Sequence, residues 1–294
     1  MPAAEGKPRA PGRRRALLWM IALIITLAAA VYQRRTGPSY PARGAAELGG
    51  ATIRYRLPRT KNVGEDVRIA LAVEDAAVGG SVRWRRYKSA DEWSTVPLKA
   101  DAAGELVAHL PQQPPAGKLM YFVYVDGEEG PVSLTGDEPV ILRYKGAVPL
   151  WALVPHVFFM FTAMLVSNRA GLEAIDPRGR PRRLMLITIA LLAGGAFIFG
   201  PIVQKHAFDA FWTGFPFGYD LTDNKALIAM LFWLAAWLAS RTRDRRGWII
   251  LAALVMFIIF MIPHSLLGSE LDYTQAAGAS PGQSYAGSLG LPAA

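Results

Sequence analysis

The chain has 294 residues, of which 52% are hydrophobic, with a mean hydropathy of +0.22, a net charge of +9 and no cysteine. Hydropathy this high argues against a purely soluble protein. The 28 glycines and 21 prolines are ordinary and exclude collagen-like and wholly disordered classes. Without cysteine there are no disulfides, thiolate metal sites, iron–sulfur clusters or cysteine nucleophiles.

In chain order, a basic tail (1–15) precedes the apolar run Ala16–Tyr32, which predicts a first transmembrane helix over 16–32. The small residues Ala28-Ala29-Ala30 also suit a signal-peptide cleavage site, but the length of the run favours an uncleaved anchor. Residues 33–146 predict an extracytoplasmic β domain. Further helices are expected over 147–167, 184–203, 222–240 and 248–268, with basic loops at 168–183 and 241–247. An aromatic loop (204–221) separates the third and fourth helices, and the tail 269–294, rich in Ala, Gly, Ser and Pro, is expected to be disordered.

The charge follows the helices. The tail and the two basic loops hold 14 of the 32 basic residues and four of the 23 acidic ones, a net of +10. The remainder is near neutral, so the excess obeys the positive-inside rule. It places the N-terminus in the cytoplasm and the β domain and C-terminus outside, with a bacterial inner membrane as the simplest host. The lipid bilayer accounts for the charge, and no basic stripe interleaved with stacking aromatics points to nucleic acid.

Period-2 alternation marks the β domain: Ile53/Tyr55/Leu57, Val67/Ile69/Leu71/Val73, Val82/Trp84, Leu106/Ala108/Leu110 and Met120/Phe122/Tyr124 are expected to face its core. Turn signals between them predict seven or eight short strands. The segments Val82-Arg-Trp-Arg-Arg-Tyr, Asp91-Glu-Trp-Ser-Thr-Val-Pro-Leu and Pro115-Ala-Gly-Lys-Leu-Met-Tyr-Phe-Val-Tyr-Val-Asp resemble a fibronectin type III or immunoglobulin-like module over about residues 65–145. The resemblance implies an all-β, Ig-like sandwich inserted into a five-helix membrane bundle. Such modules serve binding, spacing and assembly alike, so it implies no particular activity.

Chemistry-bearing residues concentrate at the expected outer face. His206, Asp209, His264 and Glu270 could form a transition-metal site, and His156 with His264 is the one pair placed to ligate a b-type haem axially. Asp220–Lys225 imitates a calcium loop but has Lys225 where glycine is required and Leu231 where glutamate is expected; Asp220 suits a helix N-cap better. Trp212, Phe215, Phe217 and Tyr219 form a glycine-punctuated aromatic stretch, read either as an interfacial belt or as a partner surface. Ala190/Gly194 and Ala196/Gly200 are small-xxx-small pairs suited to close helix contact, within the protein or with another subunit. No hydrolase, Walker or dinucleotide motif occurs. The expectation is therefore a non-enzymatic scaffold or accessory subunit of an envelope complex. Metal or haem handling is the alternative, and a transporter is less favoured for want of paired repeats.

Overall fold

The computed structural model describes residues 11–48, 51–73, 79–127, 130–263, 271 and 273. The chain divides into two units. One is helical and draws on segments up to residue 36, from 150 to 201 and from 221 to 264; the other takes 37–149, 202–220 and the C-terminal segment.

The helical unit contains α1 (Pro11–Thr36), α2 (Leu150–Ile175), α3 (Arg182–Leu192), a π-helical stretch (Ala193–Phe199), α5 (Leu221–Ala239) and α6 (Arg246–Met261). The π stretch runs on without a break into α4 (Gly200–Phe208), whose last residues belong to the other unit, so that Arg182–Phe208 is one helical run of 27 residues. Among the described residues four helices are long and apolar enough to cross a membrane: α1, α2, the Arg182–Phe208 run and α5. The sequence reading takes the fifth apolar helix through residue 268. In the described residues α6 ends after 16 residues, with Ile262 extended ahead of Pro263, and 264–268 lie outside the described residues. The buried Lys225 ammonium donates to the Ile262 carbonyl at 2.9 Å, so this cation closes the end of α6, where the helix dipole favours positive charge.

Small side chains hold these helices together. Ala163, Ala170, Ala229, Ala236 and Ala252 are fully buried around Trp233, and a β-carbon on Gly171 would meet that of Ala253 at 2.8 Å. Helices lacking a hydrophobic drive toward one another gain by such close approach. Large apolar side chains point outward instead, among them Met20, Ile24 and Leu27 of α1 and Trp151, Val154 and Phe158 of α2.

Residues 168–175, expected in a loop, continue α2. The Arg169–Glu173 pair, 2.7 Å apart at i,i+4 spacing, lets the helix carry its charges past the apolar run. Buried Asn168 donates to Thr26 Oγ1 of α1 at 3.0 Å, Arg14 pairs with Asp176, and the Arg169 guanidinium lies over the Trp19 ring.

Among the described residues the second unit contains eleven strands: β1 (Ala42–Leu48), β2 (Ala51–Leu57), β3 (Thr60–Asn62), β4 (Val67–Ala72), β5 (Gly80–Arg86), β6 (Ser94–Pro97), β7 (Lys99–Ala100), β8 (Glu105–Leu110), β9 (Lys118–Gly127), β10 (Gly130–Ser133) and β11 (Val140–Lys145). One sheet has the order β1-β2-β4-β8-β7. The other has β3-β11-β9-β5-β6, with β10 on β9; its β3–β11 pair is parallel and the remaining pairings are antiparallel. Both sheets contribute to one hydrophobic core, from Ile53, Ile69 and Leu110 on one side and Val82, Val123 and Leu142 on the other.

Two expectations are corrected in this unit. On β9 the core-facing set is Leu119/Tyr121/Val123/Val125, and Met120/Phe122/Tyr124 lies on the opposite face. Register explains the reversal: Val82 pairs with Val123 and Trp84 with Tyr121, so Phe122 falls opposite outward-facing Arg83 and Met120 opposite Arg85. Within the expected tail 269–294, the two described residues, Leu271 and Tyr273, are tied down, and the others lie outside the described residues. Leu271 donates to the Ala116 carbonyl, and buried Tyr273 accepts a 3.0 Å hydrogen bond from the Lys118 amide while donating to Gln113. An aromatic ring with a satisfied hydroxyl is worth ordering.

Candidate functional site

The aromatic loop begins where α4 ends. Asp209 adopts φ +63°, a left-handed conformation that stops the helix, and its amide still bonds back to the Lys205 carbonyl. The Asp209 carboxylate takes a 2.7 Å bond from Lys205, whose ammonium also lies 5.6 Å from the Phe211 ring centre. From there the loop closes on itself. Gln204 donates to the Thr213 hydroxyl at 2.7 Å, the Trp212 indole N–H to the Phe215 carbonyl at 3.1 Å, and the amides of Phe217 and Gly218 both to the Gly214 carbonyl. The Asp220 amide returns to the Thr213 carbonyl. Within the same unit, the Gly146 amide donates to Ala207 at 2.8 Å, and the Arg143 guanidinium sits over Phe208. The loop is thus fastened to the end of β11.

This internal bonding turns aromatic side chains outward. Phe215, Phe217 and Tyr219 are 65%, 63% and 91% exposed, and Phe211 is exposed beside them. Trp212, expected in the same surface, is half-buried and serves as an internal strut. Exposed aromatic side chains held by a bonded backbone offer contact area at little further entropic cost.

His206 is exposed on α4 and Asp209 is engaged by Lys205. His264 and Glu270 lie outside the described residues. Among the described residues no three His, Asp or Glu side chains are grouped closely enough to hold a metal.

His156 belongs to the helical unit. Its Nδ1 lies 2.9 Å from the Gly195 carbonyl, which also accepts from the Gly200 amide in the π stretch. Because a carbonyl only accepts, Nδ1 is the protonated nitrogen in this bond, which leaves Nε2 as the ring's acceptor when the imidazole is neutral. Pro155, just before it, removes one helical donor from α2. Gly194 and Gly195 realise the close approach expected of this segment: β-carbons there would meet the Phe159 ring at 3.1 Å and Met160 Sδ at 2.8 Å.

A second aromatic group covers the outer face of the β3-β11-β9-β5-β6 sheet. Trp93 lies 5.5 Å from Phe122, Phe122 lies 6.1 Å from Tyr124, and the guanidinium groups of Arg83 and Arg85 stand over the Trp93 ring. On the inner side of the same sheet, Tyr121 is fully buried and donates to the Pro58 carbonyl, and Trp84 packs against the core.

No protein-family model matches the chain, and no curated protein sequence matches it.

Proposed function

We propose that this chain is a non-enzymatic integral protein of a bacterial inner membrane, acting as a scaffold or accessory subunit of a cell-envelope complex. In this reading the N-terminus is cytoplasmic and the β unit, an Ig- or fibronectin type III-like sandwich, stands outside. The observation that carries it is the internally bonded loop 209–220, which holds Phe215, Phe217 and Tyr219 outward. The outward apolar faces of α1 and α2 support membrane residence. The Asn168–Thr26 bond and the Arg14–Asp176 pair support α1 as a permanent anchor. Partners are then membrane proteins or further copies of the chain. A photo-crosslinking residue in place of Tyr219 in the full-length protein should yield a discrete crosslinked product in intact cells, weakened by Phe215→Ser with Phe217→Ser. Crosslinks to lipid alone would refute the partner surface and leave an interfacial belt.

One observation favours a second reading, metal or b-type haem handling. A histidine that donates Nδ1–H to a carbonyl and keeps Nε2 free has the orientation of a metal ligand. Iron, copper or zinc retained by the detergent-purified protein, and lost in His156→Ala, would support it.

A further inference from the structure

At one end of the helical unit, the turn between α2 and α3 and the turn between α5 and α6 line a half-open cavity of about 510 Å³. Six arginines line it (Arg178, Arg180, Arg182, Arg241, Arg243 and Arg246) against one carboxylate, Asp244. Arg246 is structural: it bonds to Asp244 and to the carbonyls of Asp176 and Gly179, joining the two turns. Arg241 rests on the Trp237 ring. The guanidinium groups of Arg178, Arg180, Arg182 and Arg243 make no ion pair among the described residues.

Two further features make the cavity electropositive. α3 and α6 both begin at its wall, at Arg182 and Arg246, without a side-chain cap or an acidic residue in the first turn. Arginine at the positive end of a helix dipole is unfavourable unless an anion sits nearby. Ser240, on the same wall, is 5% exposed, and among the described residues its buried hydroxyl has no hydrogen-bond partner. Orientation in a membrane calls for basic loops. It does not call for a walled cavity, two uncapped helix starts and an unsatisfied hydroxyl around them.

We infer that this cavity binds a phosphate group. Unpaired guanidinium groups match phosphate oxygens in charge and fork geometry, and the uncapped starts of α3 and α6 add the positive ends of two helix dipoles. A phosphodiester of an anionic phospholipid and a soluble phosphate share this chemistry. The exposed Leu186 and Ile187, about one turn into α3 from the cavity wall, favour the lipid. The lipid source rests on the membrane reading above, whereas the phosphate site itself does not.

The test titrates the delipidated full-length protein in neutral detergent with phosphatidylglycerol, phosphatidylcholine or inorganic pyrophosphate, reading bound ligand by native mass spectrometry and the unfolding temperature. Phosphatidylglycerol should bind and raise the unfolding temperature, and phosphatidylcholine should not. Arg178→Gln/Arg180→Gln/Arg243→Gln together should weaken binding about a hundredfold while leaving the unliganded unfolding temperature unchanged. Ser240→Ala should weaken it less. Pyrophosphate binding that is lost in the triple variant, without lipid binding, supports the site with a soluble source. No binding of either anion, or binding unchanged in the triple variant, overturns it. Fractionation of the wild-type protein between membrane and soluble extracts separates failure of the membrane reading from failure of the site.

Discussion

Arg86 grips Asp91 through two hydrogen bonds, and the same guanidinium covers the ring of Tyr273, the residue that fixes the C-terminal segment to the β unit. That contact holds the Asp91 carboxyl below the usual aspartate range. Asp101 is held low as well, first by the Glu105 amide and then by Arg68. Tyr273 moves the opposite way, its burial pushing the phenol up to about 12. For a carboxyl lowered by folding, stabilisation is complete above the unfolded-state value, about 4, and disappears as pH falls through the folded one. Acidification below about pH 4 should therefore lower the unfolding temperature of the β unit. Asp91→Asn should be less stable than wild type at neutral pH and show a flatter acid limb; an equally steep limb would remove Asp91 from the account.

Among the elements, β9 illustrates how far alternation reaches. Both of its phases are apolar, so period 2 identifies a strand without choosing its inner face. The choice comes from pairing with β5, where the arginines mark the outer side. Tyr121→Ala should cost about 3–5 kcal/mol and Phe122→Ala about 1 kcal/mol in denaturant unfolding of the full chain; the reverse order would contradict the register. In the helical unit the analogous element is the π stretch, where adjacent glycines admit Phe159 and Met160. Gly195→Val should destabilise the protein by about 1–3 kcal/mol through overpacking, with Gly195→Ala milder because Met160 can shift. The small-residue pairs were readable in the sequence, but the π geometry and its bond to His156 were not. They depend on which residues of α2 pack there.

For the whole molecule the central quantity is orientation, and the absence of cysteine makes it directly measurable. In an otherwise unaltered chain, Tyr219→Cys should react with a membrane-impermeant maleimide in intact cells, and Arg243→Cys only after permeabilisation. The opposite pattern would invert the proposed topology. The number and order of apolar helices, the basic loops between them and the presence of an inserted β unit were already implied by composition and periodicity. Those properties depend on residues close in sequence: hydropathy over about 20 positions, charge beside each run and alternation within a strand. Tertiary structure decided which face of β9 is inside, that Leu271 and Tyr273 dock, that the 202–220 segment belongs with the β unit, and that two turns distant in sequence line one half-open, arginine-rich cavity. Each of these is settled by contacts between residues far apart in the chain, and single-sequence patterns carry no record of such pairings.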